Sequence, residues 1–246
     1  THTPLEAAQD KFSYDIVMEV MGEVIPLGDL KRLGGQDRLN MLLLALNLSG
    51  YVNGVAKKHR EVSEQLFPGY EISAITNGIH SYTWTCPSFR KLYDGYLPGW
   101  ANEPELLVRA EIIPDYEIWQ AHTEAKKELI DYVNETTKID MEYGVLTLGF
   151  ARRATAYKRA NLLFSDLERL KNIGKRNKIQ VILAGKAHPK DYSGKKIIEE
   201  VYGYIEKLRG FIKIVYLKNY GLDLAAKMVS GVDVWLNTPL RPVSYT

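Results

Sequence analysis

Four short apolar runs, separated by helical patterns, are the feature that most constrains the fold of this 246-residue chain. The runs cover residues 145–150, 179–185, 212–217 and 232–236. The segments between them predict helices over residues 157–172, 195–208 and 223–229. Strand–helix repeats of this kind are typical of βαβ units, in which right-handed crossovers join parallel strands. The sequence therefore predicts an α/β protein with a parallel sheet in its C-terminal half.

The N-terminal part of the chain predicts mostly helices. Residues 37–46 are too continuously apolar for a surface helix, so this helix is expected to be buried on most sides. It is expected to continue towards residues 52–59, where a second helix starts and runs to residue 65. Gly and Pro interrupt residues 68–104, which predict an irregular connection that is either functional or a crossing between domains.

The amphipathic pattern of residues 115–136 predicts a long helix. Trp119, Leu129 and Tyr132 are expected on its inner side. The helix also carries His122, one of five histidines, none of which belongs to an H-E-x-x-H or similar spacing. We therefore expect no metal site and a structural role for His122.

The composition excludes several classes of protein. A single cysteine, Cys86, rules out a disulfide framework and argues against a cysteine-based zinc site. The longest apolar run, residues 41–46, is far shorter than the roughly 20 residues of a membrane span. No signal-peptide pattern is present. These features predict a cytoplasmic protein without a membrane association.

Positive charge is concentrated in one part of the chain. Residues 145–220 hold 17 Lys and Arg but only 6 Asp and Glu, although the net charge of the whole chain is +2. Such asymmetry indicates an anionic partner, either phosphate or nucleic acid. A Lys-rich solvated surface would give the same pattern.

Cationic and polar residues follow each predicted strand at its carboxyl end. They are Arg152, Arg153, Lys158 and Arg159 after the first strand, Lys186 and His188 after the second, Lys218 and Tyr220 after the third, and Asn237, Thr238 and Arg241 after the fourth. Open parallel sheets bind ligands beyond the carboxyl ends of their strands. Cations at that edge, with the N-terminus of a helix starting near residue 157, predict an oxyanion pocket for a phosphate-type ligand.

Other motifs narrow the chemistry further. Gly149 and Gly185 stand where backbones must approach closely, but neither belongs to a G-x-G-x-x-G motif, so a dinucleotide site is not indicated. His80 follows the turn sequence Asn77-Gly78 and precedes Trp84, which makes it a candidate sugar contact, although packing explains it equally well. The sequence lacks a G-x-S-x-G or Cys-His nucleophile pattern, and this argues against a hydrolase.

Five segments resemble, in order, motifs of the α-glucan (glycogen, starch or maltodextrin) phosphorylase family in its bacterial and archaeal branch. The segments are V-N-G-V-A-K-K-H at 52–59, T-N-G-I-H-S-Y-T-W at 76–84, R-R-A-T-A-Y-K-R at 152–159, G-K-A-H-P at 185–189 and L-K-N-Y at 217–220. The resemblance covers most of the chain, and the ordered set is far more specific than any single motif.

The resemblance implies a GT-B-like glycosyltransferase fold with two Rossmann-like domains, of which this chain is the central part. Residues 1–90 would be the mostly helical end of the N-terminal domain with the crossover. Residues 91–142 would form a helical linker region, and residues 143–246 would be the first half of the C-terminal domain.

The resemblance also implies a pyridoxal 5'-phosphate enzyme that cleaves α-1,4-glucan with inorganic phosphate and releases glucose 1-phosphate. By this analogy Arg153 and Lys158 are catalytic and bind the substrate phosphate. Arg152, Lys158 and Tyr220 bind the cofactor, and Asn77, His80 and Arg153 contact substrate. The implied partners are α-glucan and phosphate, with no nucleic acid.

Two departures from the family pattern stand out. The family usually has a histidine before A-V-N-G-V-A, where this chain has Gly50-Tyr51. The family's cofactor lysine lies in an E-A-S-G-T-x-x-M-K motif after the equivalent of Arg241-Pro242, whereas this sequence reads Val243-Ser244-Tyr245-Thr246. We therefore expect a central piece of a phosphorylase that lacks the cofactor lysine and is inactive alone.

Two other interpretations stay open at this point. A glucan synthase that uses a nucleotide sugar has the same fold, but it would carry G-R-x-x-x-Q-K-G where this chain has Tyr157-Lys158-Arg159. A non-catalytic module that binds glucan or a partner is the second interpretation. Bare apolar surface on such a module would favour self-association.

Overall fold

The computed structural model describes residues 9–240, which fall into two compact units. The first unit holds the described residues up to Gly78 together with Leu240, and the second runs from Ile79 to Pro239. Arg241 lies outside the described residues. Every helix within residues 9–240 is too short or too polar to span a bilayer.

Short helices and two strand pairs make up the first unit. Its helices are α1 (Tyr14–Met21), α2 (Leu27–Gly34), α3 (Met41–Leu48) and α4 (Lys57–Leu66). Its strands are β1 (Lys11–Phe12), β2 (Leu39–Asn40), β3 (Asn53–Gly54) and β4 (Ser73–Ala74). The pair β1–β2 is antiparallel and β3–β4 is parallel. The core of this unit is small, with Val17, Leu30 and Leu39 buried together.

Helix α3 differs from the helix expected over residues 37–46. It starts only at Met41, because the Asn40 side chain caps it by accepting hydrogen bonds from the N–H groups of Leu42 and Leu43, at 3.0 and 3.3 Å. It ends at Leu48, so it does not continue towards residue 52. Within this helix only Leu46 is buried, so the expected burial on most sides is wrong for the described chain.

Residues 52–59 form a strand followed by a helix. Strand β3 carries Gly54, and α4, which runs to Leu66 close to the expected end at residue 65, buries His59 against it. A Cβ on Gly54 would lie 2.3 Å from His59 Nδ1, so the close packing requires glycine. The imidazole also contacts Ser63 Oγ at 3.3 Å.

The second unit begins with α5 (Ser81–Trp84), α6 (Pro87–Tyr96) and a 3₁₀ helix at Pro104–Ile112. The irregular connection expected over residues 68–104 is therefore wrong in part, since α6 starts with a proline at its first position, where helices tolerate it. Trp100 is fully buried among Leu92, Leu97 and Ile113.

The long helix α7 (Asp115–Thr137) confirms the expected helix over 115–136. Leu129 is fully buried and Tyr132 packs against the same core, as expected. Trp119 is 66% exposed, so its expected inward position is wrong. Its ring lies beside that of His122 on the helix surface, with the centroids 5.5 Å apart.

The centre of the second unit is a four-stranded parallel sheet with the order β7–β6–β5–β8. Its strands are β5 (Leu146–Ala151), β6 (Ile179–Ala184), β7 (Lys213–Leu217) and β8 (Val234–Trp235). The crossover helices are α8 (Leu167–Arg176), α9 (Tyr192–Leu208) and α10 (Leu222–Gly231). The predicted parallel sheet in the C-terminal half is confirmed.

Alternate residues of β6 face opposite layers of the unit. Ile182 and Ala184 pack with α7 and α10, whereas Val181 and Leu183 pack with α9. Because successive side chains of a strand point to opposite faces, a strand buried on both faces reads as a continuous apolar run. This burial explains why the sheet was visible in the sequence.

The first crossover does not contain the single helix expected over residues 157–172. Two 3₁₀ turns, Ala156–Lys158 and Leu162–Phe164, come first, and α8 starts only at Leu167. Arg159 has a left-handed φ of 49°, which ends the first turn. The Asp166 carboxylate accepts the Arg169 N–H at 2.9 Å and so caps α8.

A buried polar network ties α7 to the amino-terminal edge of the sheet. Asp233, just before β8, accepts hydrogen bonds from His122 Nε2 at 2.8 Å and Lys126 Nζ at 2.6 Å, and from the Thr147 N–H at 2.7 Å. Gln180 is fully buried and donates to Thr147 Oγ1 at 2.8 Å. His122 therefore contributes to the packing of α7 on the sheet.

Candidate functional site

Three cationic side chains follow β5 within one loop at the carboxyl edge of the sheet. Arg152 and Lys158 are half-buried, and Arg153 is exposed. Burial lowers the pKa of the Lys158 ammonium, and the nearby guanidinium groups of Arg152 and Arg153 lower it further. The structure therefore brings together the three cations that the sequence predicted to converge. An anion bound among them would relieve their mutual repulsion.

Close backbone contact between the ends of β5 and β6 fixes the start of this loop. The Arg152 N–H donates to the Ala184 carbonyl at 3.3 Å, and the Ala154 N–H donates to the Lys186 carbonyl at 3.0 Å. A Cβ on Gly185 would lie 2.1 Å from the Arg152 carbonyl oxygen. The predicted close approach at Gly185 is confirmed.

The close approach predicted at Gly149 also occurs, further back in β5. A Cβ on Gly149 would lie 2.7 Å from Val232 Cγ1, just ahead of β8. Glycine thus lets the start of β8 pack directly on β5, with which β8 pairs at Leu148 and Gly149.

Tyr220 lies beyond the end of β7 at the same edge. Burial raises the pKa of its hydroxyl, and the positive charge of Arg152 opposes that rise. Its ring packs against the core that includes Met228. The structure therefore places an aromatic ring close to Arg152, between the cationic loop and the apolar core.

The other polar residues after β6 and β7 lie on the surface. Lys186 and Lys218 are exposed, and so is His188, whose Nδ1 accepts the Lys190 N–H at 3.2 Å. The adjacent Asp191 caps α9 by accepting the Gly194 N–H at 2.8 Å. Of these groups the structure shows only the Lys186 backbone taking part in the loop after β5.

The segment after β8 completes the site. The Asn237 side chain accepts a hydrogen bond from Arg152 Nη2 at 2.6 Å. Arg159 donates to the carbonyls of Thr238 and Pro239, at 2.7 and 3.1 Å. These contacts join residues about eighty positions apart, and no local pattern in the sequence signals them.

The α-helix expected to start near residue 157 is absent from this loop as the structure describes it. The chain forms the three-residue 3₁₀ turn Ala156–Lys158 where an α-helix was expected, so that part of the prediction is wrong. The loop instead contains a buried hydroxyl, Thr155 Oγ1. Among the side chains of residues 9–240, it is the one buried polar atom without a hydrogen-bond partner.

The candidate sugar contacts lie apart from these strand ends along the chain. Asn77 is an exposed residue of the first unit, and its N–H donates to the Val55 carbonyl at 3.1 Å. His80 belongs to the second unit, where its Nδ1 caps α5 by accepting the Thr83 N–H at 3.3 Å. Both side chains are exposed, so both are open to solvent in their own units.

Metal-binding clusters are not part of the described site. Across residues 9–240, no three His, Cys, Asp or Glu side chains are grouped closely enough to hold a metal ion. The chemistry that the arrangement offers is the binding of an oxyanion by several fixed cations and a tyrosine.

Comparison with known proteins identifies the family of this arrangement. Residues 9–237 match the carbohydrate phosphorylase family. The chain belongs to this family. The resemblance seen in the sequence is thereby confirmed, and the cationic loop lies inside the matched region.

Individual relatives agree with the family match over nearly the whole chain. A maltodextrin phosphorylase of Thermococcus litoralis is 38% identical over 99% of this chain, and a glycogen phosphorylase of Aquifex aeolicus is 36% identical over 99%. A glycogen phosphorylase of Mycobacterium tuberculosis is 31% identical over 99%. The chain spans 33%, 41% and 33% of the lengths of these three proteins.

Proposed function

We propose that this chain is part of an α-glucan phosphorylase, which transfers glucosyl units from an α-1,4-glucan to orthophosphate and releases glucose 1-phosphate. The observation that carries the proposal is the convergence of Arg152, Arg153 and Lys158 beyond the carboxyl end of β5. The names of the relatives, maltodextrin and glycogen phosphorylase, supply the substrate class. A cytoplasmic location and a two-domain GT-B arrangement, with boundaries near residues 90 and 142, belong to the same proposal.

Arg153 and Lys158 are proposed to bind the substrate phosphate. Arg153 is exposed at the loop, so its guanidinium can pair with two oxygens of an arriving phosphate. Lys158 is half-buried, and its ammonium is already destabilised by two neighbouring guanidinium groups. A dianion next to Lys158 restores the stability of its charged form, and the same interaction holds the phosphate in place.

The donor set also fits pyridoxal 5'-phosphate. Arg152 and Lys158 can hold a second phosphate group, and the Thr155 hydroxyl without a partner is a further donor in the same loop. The half-buried ring of Tyr220 offers an apolar surface for a pyridine ring. When bound, the cofactor supplies a phosphate that can exchange a proton with the substrate phosphate. Arg152 and Lys158 would orient that group by charge-assisted hydrogen bonds.

Charge repulsion explains why such a site needs several cations. Two phosphates in one cleft bring a charge of roughly −3 to −4, and each pair of unit charges 5 Å apart repels by about 3 kcal/mol at an effective dielectric constant of about 20. Three cations in one loop offset much of this repulsion. Arg152 and Lys158 are half-buried before the substrate arrives, so they can also stabilise charge that develops in the transition state.

Asn77 and His80 are proposed to contact the glucan. Both are exposed polar residues on a segment that links the two units, and neither side chain is needed for the core of its own unit. His80 Nδ1 is held at the start of α5, which fixes the direction of the imidazole ring. Because Nδ1 accepts a hydrogen bond, the ring proton lies on Nε2, which can donate one hydrogen bond to a sugar hydroxyl oxygen.

A phosphate titration tests the proposed anion site. The chain labelled with ¹⁵N and titrated with inorganic phosphate should show chemical-shift changes in residues 152–158, with a millimolar Kd, which corresponds to about −4 kcal/mol. Arg153→Ala should weaken binding by at least about tenfold, because a hydrogen bond to a charged group contributes about 1.5–3 kcal/mol.

Arg209→Ala is the matched control for this titration. Arg209 is an exposed arginine paired with Glu206 on its own helix, at the end of the unit opposite to the carboxyl edge of the sheet. Its removal should leave the phosphate Kd unchanged. Equal weakening by both substitutions would reduce the site to generic surface charge, and unperturbed resonances at residues 152–158 would refute it.

A further inference from the structure

A reciprocal set of hydrogen bonds closes the cationic loop against the segment that leaves β8. Arg159 donates through Nε to the Thr238 carbonyl at 2.7 Å and through Nη2 to the Pro239 carbonyl at 3.1 Å. The Thr238 hydroxyl contacts the carbonyls of Lys158 and Arg159 at 3.1 and 3.2 Å, so it can donate to either of them. Each segment therefore holds the backbone of the other.

This arrangement gives Arg159 a role different from that of its cationic neighbours. Arg159 stands next to Lys158 in the sequence, so the pattern of charges alone suggests another anion ligand. Its guanidinium is instead directed at two backbone carbonyls, and its φ of 49° turns the chain at that point. A left-handed non-glycine residue is costly, and it persists only where surrounding contacts fix it.

The loop needs such an anchor because it has little regular structure of its own. The turn Ala156–Lys158 is three residues long, and α8 starts only at Leu167. Strand β8 pairs with β5 at two positions, so the segment after β8 leaves the sheet beside the strand that delivers Arg152. The same segment also accepts a hydrogen bond from Arg152 through Asn237.

We propose that Arg159 and Thr238 form a clasp that positions Lys158 among Arg152 and Arg153, and that Arg159 does not itself bind the anion. The purpose of positioning Lys158, which is to bind phosphate, rests on the proposed function. The clasp itself rests on the four hydrogen-bond contacts between the two segments. Arg159 and Thr238 are thus positioning residues. The segment that leaves β8 holds the backbone of the cationic loop.

The position of Lys158 can be measured without any ligand. In the folded chain the pKa of its ammonium is below the ordinary lysine value, through burial first and then through the charges of Arg152 and Arg153. Release of the loop would move Lys158 into water and away from both guanidinium groups, which raises that pKa. The ¹³Cε resonance of Lys158, assigned by its loss in Lys158→Arg, reports the pKa in a pH titration of the labelled chain.

Thr238→Val removes the hydroxyl at nearly constant volume, and Arg159→Met removes the guanidinium. Both variants should raise the Lys158 pKa towards the ordinary lysine value and weaken phosphate binding about three- to tenfold, in line with the loss of one or two hydrogen bonds. Thr238→Ser keeps the hydroxyl and should restore both readouts. Arg159→Lys keeps one donor and should lie between wild type and Arg159→Met.

Matched controls use residues with similar bonds far from the loop. Thr123→Val removes a hydroxyl that donates to the Trp119 carbonyl at 2.8 Å on the exposed face of α7, and Arg209→Met removes a surface guanidinium. Neither should change the Lys158 pKa or the phosphate Kd. If Thr238→Val fails to fold, Arg159→Lys, which should shift both readouts part of the way, decides the question, with Thr238→Ser as the variant that should not shift them.

Three results would overturn the clasp. In the first, the clasp variants lower the melting temperature but leave the Lys158 pKa unchanged. In the second, they shift the Lys158 pKa no more than the control variants do. In the third, Arg159→Met weakens phosphate binding and leaves the Lys158 pKa unchanged. The last result would make Arg159 a direct ligand. Wild type that binds no phosphate while Thr238→Val still raises the Lys158 pKa would refute the proposed function and leave the clasp supported.

Discussion

Single residues at the carboxyl edge of the sheet are held by contacts with backbone atoms. A Cβ on Gly185 would lie only 2.1 Å from the carbonyl oxygen of Arg152. The carbonyls of Lys158 and Arg159 contact the hydroxyl of Thr238. Backbone atoms cannot move aside as a flexible side chain can. The geometry of the cations therefore depends on residues that carry no charge themselves.

Gly185→Ala should destabilise the chain by about 3 kcal/mol, because the new methyl group overlaps a fixed carbonyl and must push β5 and β6 apart. The phosphate Kd should rise at the same time, since Arg152 moves with its carbonyl. Urea unfolding and the phosphate titration measure the two effects.

Gly203→Ala is the matched control for this substitution. Gly203 lies on the exposed face of α9, with no atom within 4 Å of an added Cβ. Alanine in a helix should stabilise the chain by about 0.5–1 kcal/mol. If Gly185→Ala is as mild as this control, the close contact between the two strand ends does not exist in solution.

At the scale of whole elements, the sheet was predictable and the first crossover was not. Strands β5, β6 and β7 are buried on both faces or nearly so. Because both faces of such a strand need apolar side chains, each strand appears in the sequence as a continuous apolar run. The segment 157–172 has a helical apolar pattern, but the left-handed Arg159 and the Asp166 cap divide it. Long-range bonds to Thr238 support that division, and they are invisible in a local pattern.

The network that joins α7 to the sheet makes the stability of this unit pH-dependent. Burial raises the pKa of Asp233, but hydrogen bonds from His122, from Lys126 and from the Thr147 N–H outweigh burial and hold that pKa below its usual value. A carboxyl with a depressed folded-state pKa stabilises the fold above its unfolded pKa, near 3.9. That stabilisation is lost as the pH falls through the folded-state pKa.

Asp233→Asn should therefore cost about 3 kcal/mol at pH 7, because it leaves the buried Lys126 ammonium without its counter-charge. The difference between wild type and variant should start to shrink below about pH 4, where Asp233 of the unfolded chain takes up a proton, and the ionic contribution is lost once the pH falls through the lower folded-state pKa. Urea unfolding between pH 2 and pH 7 measures this difference.

The exposed pair of Glu206 and Arg209 is the control, and Glu206→Gln should change the free energy of unfolding by less than about 1 kcal/mol. A pH-independent difference would show that Asp233 acts only through shape.

At the scale of the molecule, the cores and the cationic site are unequally divided between the units. The three large buried clusters and all of Arg152, Arg153, Lys158 and Tyr220 lie in the second unit. The first unit has one described cluster with three buried residues. Cations at strand ends follow from the parallel topology, so their shared edge could be predicted from the sequence. The boundary between the units at Gly78 lies within residues 68–104, which the sequence predicts to be either functional or a crossing between domains. Its exact position depends on which buried groups are in contact, and no local pattern specifies that.

The second unit should therefore fold and bind phosphate without the first. A polypeptide of residues 79–246 keeps the sheet, helices α5 to α10, both ends of the clasp and the Asp233 network. It should unfold cooperatively in urea and bind phosphate within about twofold of the longer chain, because none of the contacts described for the cations involves the first unit. Residues 9–78 alone should show no cooperative transition, since a core cluster of three buried residues, with Leu46 and Ile72 buried outside it, cannot offset the conformational entropy of about seventy residues. Loss of cooperative unfolding in residues 79–246 would mean that the first unit stabilises the sheet. Retained folding without phosphate binding would mean that part of the anion site lies in residues 9–78.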